Sequence, residues 1–66
     1  MEDKQLICDL LCKTLQATRG QKDLIDIQYD RGKETATLHY EGRLISVNVA
    51  CDSGTAMIRD IMKEVD

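Results

Sequence analysis

Val47-Asn48-Val49-Ala50-Cys51-Asp52-Ser53-Gly54-Thr55-Ala56 changes its hydrophobic period partway along its length. Before Cys51, the residues Ile45, Val47 and Val49 alternate with other side chains, the period-two pattern of a strand with one buried face. Beyond Ser53, Met57, Ile58, Ile61, Met62 and Val65 fall on one helical stripe, with Arg59, Asp60, Lys63 and Glu64 outside it. Asp52 and Ser53 stand between the two periods. Their side-chain oxygens suit the unpaired N–H groups of a first helical turn. A strand over residues 43–51 is therefore expected to run straight into a helix reaching about residue 65, with Asp52 or Ser53 as its N-cap and Gly54 easing the turn.

The segments upstream follow the same logic. Thr35-Ala36-Thr37-Leu38-His39-Tyr40 alternates and is rich in residues that suit a pleated sheet. Glu41-Gly42 is short enough to join it to the next strand as a two-residue hairpin loop. Ile25, Ile27 and Tyr29 alternate with Asp26, Gln28 and Asp30 in another strand, closed by the polar turn Asp30-Arg31-Gly32-Lys33. Connections this short make an antiparallel meander, because parallel strands need a long crossover. Residues 3–18 carry Leu6, Ile7, Leu10, Leu11, Thr14 and Leu15 at helical spacing, with Asp9, Lys13 and Gln16 opposite, Asp3 as cap and Gly20 as stop. The expected architecture is a single α+β domain over residues 1–66, ordered α-β-β-β-α, with both helices on one face of a three-stranded antiparallel meander. Its core is expected to hold Ile25, Ile27, Tyr29, Ala36, Leu38, Tyr40, Ile45, Val47 and Val49. The opposite, solvated face then presents Asp26, Gln28, Thr35, Thr37, His39, Ser46 and Asn48, together with Leu24 and Leu44.

Composition narrows the function classes. The chain has 66 residues, no Phe, no Trp and only two Tyr, so its core rests on aliphatic side chains that each bury less area than an aromatic ring. Hiding one more apolar patch in a homodimer is an ordinary way to add stability, and a monomer or weak homodimer is expected. A net charge of −3 with mixed signs provides no basic block to neutralise phosphates, which disfavours nucleic acid as a partner. No apolar run approaches the roughly 18 residues of a membrane span, and Met1-Glu2-Asp3-Lys4 lacks the basic start of a signal peptide. The odd count of three cysteines fits a reducing compartment, so a cytoplasmic location is expected.

Three groups of residues invite a chemical reading. Asp52-Ser53-Gly54-Thr55 after an apolar strand resembles the D-[ST]-G-[AT] loop of aspartic proteases, which implies that Asp52 is one of two carboxylates sharing a proton. The surroundings depart from that family: a helical period follows at once, and neither a flap hairpin nor an apolar-apolar-Gly strand is present. Capping accounts for the same residue types more simply. An anion site at the helix start lacks the glycines and lysine of a phosphate loop, and Asp52 repels an anion. Cys8, Cys12, Cys51 and His39 are the right types for zinc, yet the alternation sets His39 on the sheet face away from the helices. Cys51 and Arg59 are separated by seven residues where a phosphatase-like loop needs five. No catalytic set, cofactor or metal is expected.

The order α-β-β-β-α resembles the double-stranded-RNA-binding domain. That resemblance implies phosphate contacts from a Lys-rich start of the second helix, where this chain has Asp52-Ser53-Gly54-Thr55-Ala56-Met57. The C-terminal part, HYEGRLISVNVACDSGTAMIRDIMKEV, is similar to short proteins carried by prophages and other mobile elements of Firmicutes. This similarity implies a small protein that binds and blocks a host enzyme. The expected function is a non-enzymatic protein–protein interaction module or inhibitor acting on an unidentified protein partner, through the polar sheet face or an unpaired strand edge. Nucleic-acid binding is the alternative, and peptide cleavage at Asp52 the third reading.

Overall fold

β2 (Thr35–Tyr40) lies between β1 (Leu24–Asp30) and β3 (Arg43–Asn48), antiparallel to both. The computed structural model describes residues 2–65 and adds α1 (Lys4–Gln16) before the sheet and α2 (Gly54–Val65) after it. The chain is thus an α+β fold in the order α-β-β-β-α, with a short 3-10 turn at Arg19–Gln21 between α1 and β1. Both loops of the meander are tight. Asp30 Oδ1 accepts hydrogen bonds from the Gly32 and Lys33 N–H groups at 2.9 and 3.1 Å, which folds the first turn. Gly42 has a φ of 86°, the left-handed conformation that a two-residue hairpin demands and that glycine adopts without steric cost.

The core is the inner face of the sheet covered by the helices. Ile27, Ala36, Leu38, Tyr40, Val47 and Val49 are buried from the strands, with Cys8, Cys12 and Leu15 from α1 and Met57 and Ile61 from α2. Tyr29 and Ile45 are only partly buried and pack around that cluster. The Tyr40 hydroxyl donates to Gln21 Oε1, and Gln21 Nε2 donates to the Val65 carbonyl at 3.2 Å. One glutamine thereby ties the middle strand to the end of α2.

β1 departs from the expected phase. Leu24 pairs with Tyr40 and Asp26 with His39, which leaves Ile25 as the extra residue of a β-bulge. Leu24 consequently points inward at 3% exposure, and Ile25 points outward at 58%. The bulge exchanges the places assigned to them by simple alternation. Beyond it, Ile27 is buried and Gln28 exposed as period two requires.

α1 is also turned relative to its expected apolar arc. Its buried residues are Cys8, Cys12 and Leu15, while Leu6 and Leu10 are 51% and 55% exposed. The physical reason lies at the sheet edge. In this meander the main-chain groups of Ile27 and Tyr29 point away from β2, and α1 supplies their partners. Gln5 Oε1 accepts from the Tyr29 N–H at 2.8 Å, and Gln5 Nε2 donates to the Ile27 carbonyl at 3.1 Å. Gln16 Nε2 reaches the Leu24 and Ile25 carbonyls at 2.9 and 3.2 Å, and Cys12 Sγ lies 3.7 Å from the Ile25 carbonyl. Gln16, assigned to the solvent side by periodicity, is thus a contact residue, and the rotation that brings both glutamines to the strand carries Leu6 and Leu10 outward.

The helix ends two residues early, at Gln16. Thr18 donates to the Leu15 carbonyl through both its N–H, at 2.9 Å, and its hydroxyl, at 2.7 Å. α1 therefore closes at Gln16 with Ala17 as a right-handed C-cap, and Gly20 falls in the 3-10 turn instead of stopping the helix. Gln5→Ala leaves the Tyr29 N–H and Ile27 carbonyl without their side-chain partners. It is expected to cost about 1–2 kcal/mol in urea unfolding and to speed amide exchange at Tyr29 ahead of the other β1 amides.

Candidate functional site

The loop read as a possible catalytic turn is built by capping. Ser53 Oγ accepts from the Ala56 N–H at 3.2 Å, and the Ser53 carbonyl accepts from the Met57 N–H at 2.9 Å, which opens α2. The next donor, the Gly54 N–H, is taken by Glu2, whose carboxylate oxygens lie 3.0 and 2.9 Å away. A carboxylate from the other end of the chain thus sits at the positive end of the α2 dipole. Gly54 makes room for it: a β-carbon there would lie 2.5 Å from Glu2 Oε2 and 2.6 Å from Ile7 Cδ1. The sharp turn out of the strand falls instead on Cys51, which holds a φ of 62°.

Asp52 does not share in the capping. Its carboxyl meets that of Asp60, and its pKa is raised first by their mutual hydrogen bond, then by desolvation and by the charge of Asp60, with Lys4 and Lys63 opposing. Asp52 Oδ2 is enclosed and has no hydrogen-bond partner among the described residues. Lys63 Nζ stands 3.9 Å from Asp60 Oδ1. Asp52 stands in the turn before α2 and Asp60 within that helix, and the helix start that an anion would seek already holds Glu2.

On the far side of the sheet, the outward side chains form three rows across the strands. Asp26, His39 and Leu44 make one, Gln28, Thr37 and Ser46 the next, and Asp30, Thr35 and Asn48 the third. His39 Nδ1 and Asp26 Oδ1 are 2.5 Å apart, so the carboxylate orients the ring and leaves Nε2 unengaged by that pair. Thr37 Oγ1 and Ser46 Oγ lie 3.4 Å apart. Asn48 Oδ1 turns back to accept from the Ala50 N–H at 2.9 Å. Ile25 and Leu44, at 58% and 65% exposure, flank the His39 row at its two ends. A shallow hollow lies between His39, Thr37 and Gln28 of the sheet and Arg31 and Gly32 of the turn. The seven polar residues read from the sequence therefore share one face, and Ile25 is the member that alternation misplaced.

The two edges of the sheet differ. β1 has its outward groups engaged by α1, as described above. In β3 the Val49 N–H donates to the Glu34 carbonyl at 3.0 Å, in register with the pairs Ala36–Val47, Leu38–Ile45 and Tyr40–Arg43. Those alternate pairs carry the ladder, so the N–H and carbonyl groups of Leu44, Ser46 and Asn48 point outward. No hydrogen bond among the described residues reaches the main-chain groups of Leu44 or Ser46.

The residues weighed for zinc do not converge. Cys8 and Cys12 are buried under the helices, Cys51 is exposed, and His39 lies across the sheet beside Asp26. Burial, with Asp9 adding to it, pushes the Cys8 thiol up to about 11. Cys12 is raised by burial and then by Asp26 and Asp9. Both remain protonated thiols at neutral pH and act as small core side chains. No protein-family model matches the chain, and neither curated proteins nor solved structures show a significant match to it.

Two predictions follow from the helix start. Glu2→Ala and Ser53→Ala are each expected to cost about 1 kcal/mol in urea unfolding, since each leaves an N–H of the first turn without its partner. Asp52→Asn is expected to raise the melting temperature at neutral pH. The folded chain holds the Asp52 proton more tightly than the unfolded chain does, so this pair favours folding below the ordinary aspartate range. Its contribution is lost as pH rises through the raised value, so the gain from Asn should shrink as pH falls through that value and vanish below the ordinary aspartate value of about 4.

Proposed function

We propose that this chain is a non-catalytic protein-interaction module that docks a partner on the solvated sheet face and along the adjoining β3 edge. The observation that carries the reading is the contrast between the edges. Three side chains of α1 close the β1 edge, whereas the main-chain groups of Leu44 and Ser46 stand open beside an exposed Leu44. An open edge of this kind is completed by an added strand, which takes its affinity from main-chain hydrogen bonds and its specificity from alternate side chains. Here those side chains are Leu44 and Ser46 in rows with His39 and Thr37, apolar at one end and hydrogen-bonding toward the other.

Small size supports the same reading, since the hollows among the described residues are open at the surface, while a flat face with an edge suits a protein partner. Inhibition of the bound partner is the narrower form of this proposal. Capture from a lysate by the wild-type chain is expected to retain a protein that Leu44→Lys and Ser46→Pro lose and that Lys13→Ala, on the outer face of α1, keeps. Retention indifferent to all three variants places the contact elsewhere and defeats the proposal.

A further inference from the structure

We infer that the strand completing the β3 edge comes from a second copy of this chain, paired antiparallel with β3 of the first to make a six-stranded sheet. The inference rests on the reading that this edge accepts a strand. Residues 44–50, Leu-Ile-Ser-Val-Asn-Val-Ala, carry no charge and no proline and include three β-branched residues. Stable monomers blunt a free edge with lysine, proline or a bulge. β3 has none of these, and the bulge of this sheet lies in β1. An edge of such composition is built to be covered.

Geometry selects the occupant. Because Gln5, Cys12 and Gln16 close the β1 edge, each copy has only its β3 edge to offer. Pairing is then β3 with β3, the two edges satisfy each other, and growth stops at two instead of running on as a fibre. The outward residues Leu44, Ser46 and Asn48 are spaced evenly about Ser46. A two-fold axis at Ser46 sets Ser46 against the partner's Ser46 and Leu44 against the partner's Asn48, so every outward N–H meets a carbonyl.

The paired run Leu44–Asn48 carries no charge, so two copies of it meet without like charges set opposite one another. Leu44, 65% exposed in the single chain, gains cover from the added strand. A contact limited to one strand pair falls below the area of stable dimers, so the association is reversible.

Sedimentation equilibrium from low micromolar to millimolar chain tests this. A monomer–dimer equilibrium is expected, with Ser46→Pro monomeric at every concentration and unchanged in circular dichroism, since the Ser46 N–H takes no part in the β2 ladder. Should that variant not fold, a synthetic chain N-methylated at Ser46 replaces it. In the wild-type chain, amide exchange at Leu44, Ser46 and Asn48 should slow several-fold at high concentration, while Ile45 and Val47, already bonded to β2, stay constant. A monomer throughout, or a dimer that persists when the Ser46 N–H is removed, overturns self-pairing. If a monomeric chain still captures a protein that Ser46→Pro loses, the edge takes its strand from a different protein, and only the choice of occupant fails.

Discussion

The Gln5 amide, held between the Tyr29 N–H and the Ile27 carbonyl, fixes more of this fold than any single apolar contact. A primary amide carries the same donor and acceptor as a peptide group, so one side chain imitates a neighbouring strand. Gln16, about three helical turns away, contributes donors alone, its Nε2 reaching the Leu24 and Ile25 carbonyls. Together they hold α1 lengthwise against β1. The face α1 turns to the core follows from that constraint: Cys8, Cys12 and Leu15 go in, and Leu6 and Leu10 go out although leucine is the more apolar residue. Hydrophobic burial is non-directional and tolerates several helix rotations, whereas two amides each held at two main-chain groups accept one.

This explains which parts of the fold were legible in the sequence. β2, β3 and α2 follow their periods closely, because their registers are set by short loops and by the apolar pattern itself. β1 misleads at its first turn of alternation, since a bulge is a pairing event between Ile25–Asp26 and His39 that a single strand's pattern does not display. α1 misleads because Gln5 and Gln16 look like solvent-facing polar residues until a strand edge is set beside them. The seven polar side chains of the sheet face were readable from alternation, whereas Leu24 and Ile25 exchanged places at the bulge. The Glu2 cap was not, because a bond between residues 52 apart leaves no local signature.

The Asp-Ser-Gly stretch divides its residues among three separate tasks. Ser53 satisfies a donor of the first turn, Gly54 yields space to Glu2 and Ile7, and Cys51 absorbs the left-handed turn. Asp52 is left beside Asp60, a like-charged neighbour that raises its pKa. Two neighbouring carboxyls are thus present in the chain, but one stands in the turn before α2 and the other within that helix. The chemistry of such a pair depends on what lies above it. Here Lys4 and Lys63 lie near enough to act on Asp52, so local charges set its titration without any need for a substrate.

The cover given to β1 has a consequence at the opposite side of the sheet. Once α1 is committed lengthwise to one edge, it no longer reaches the other, and α2 packs on the inner face against β3 and α1. The asymmetry between the edges is therefore built in by the same glutamines that orient α1, and it is not a local property of β3. A chain with no Phe or Trp also has little spare apolar area to wrap a second edge. What remains open is a strand uncharged beyond Arg43, beside a hydrogen-bonding face, a surface whose unmet groups are those of main chain, so the complement it calls for is another extended backbone.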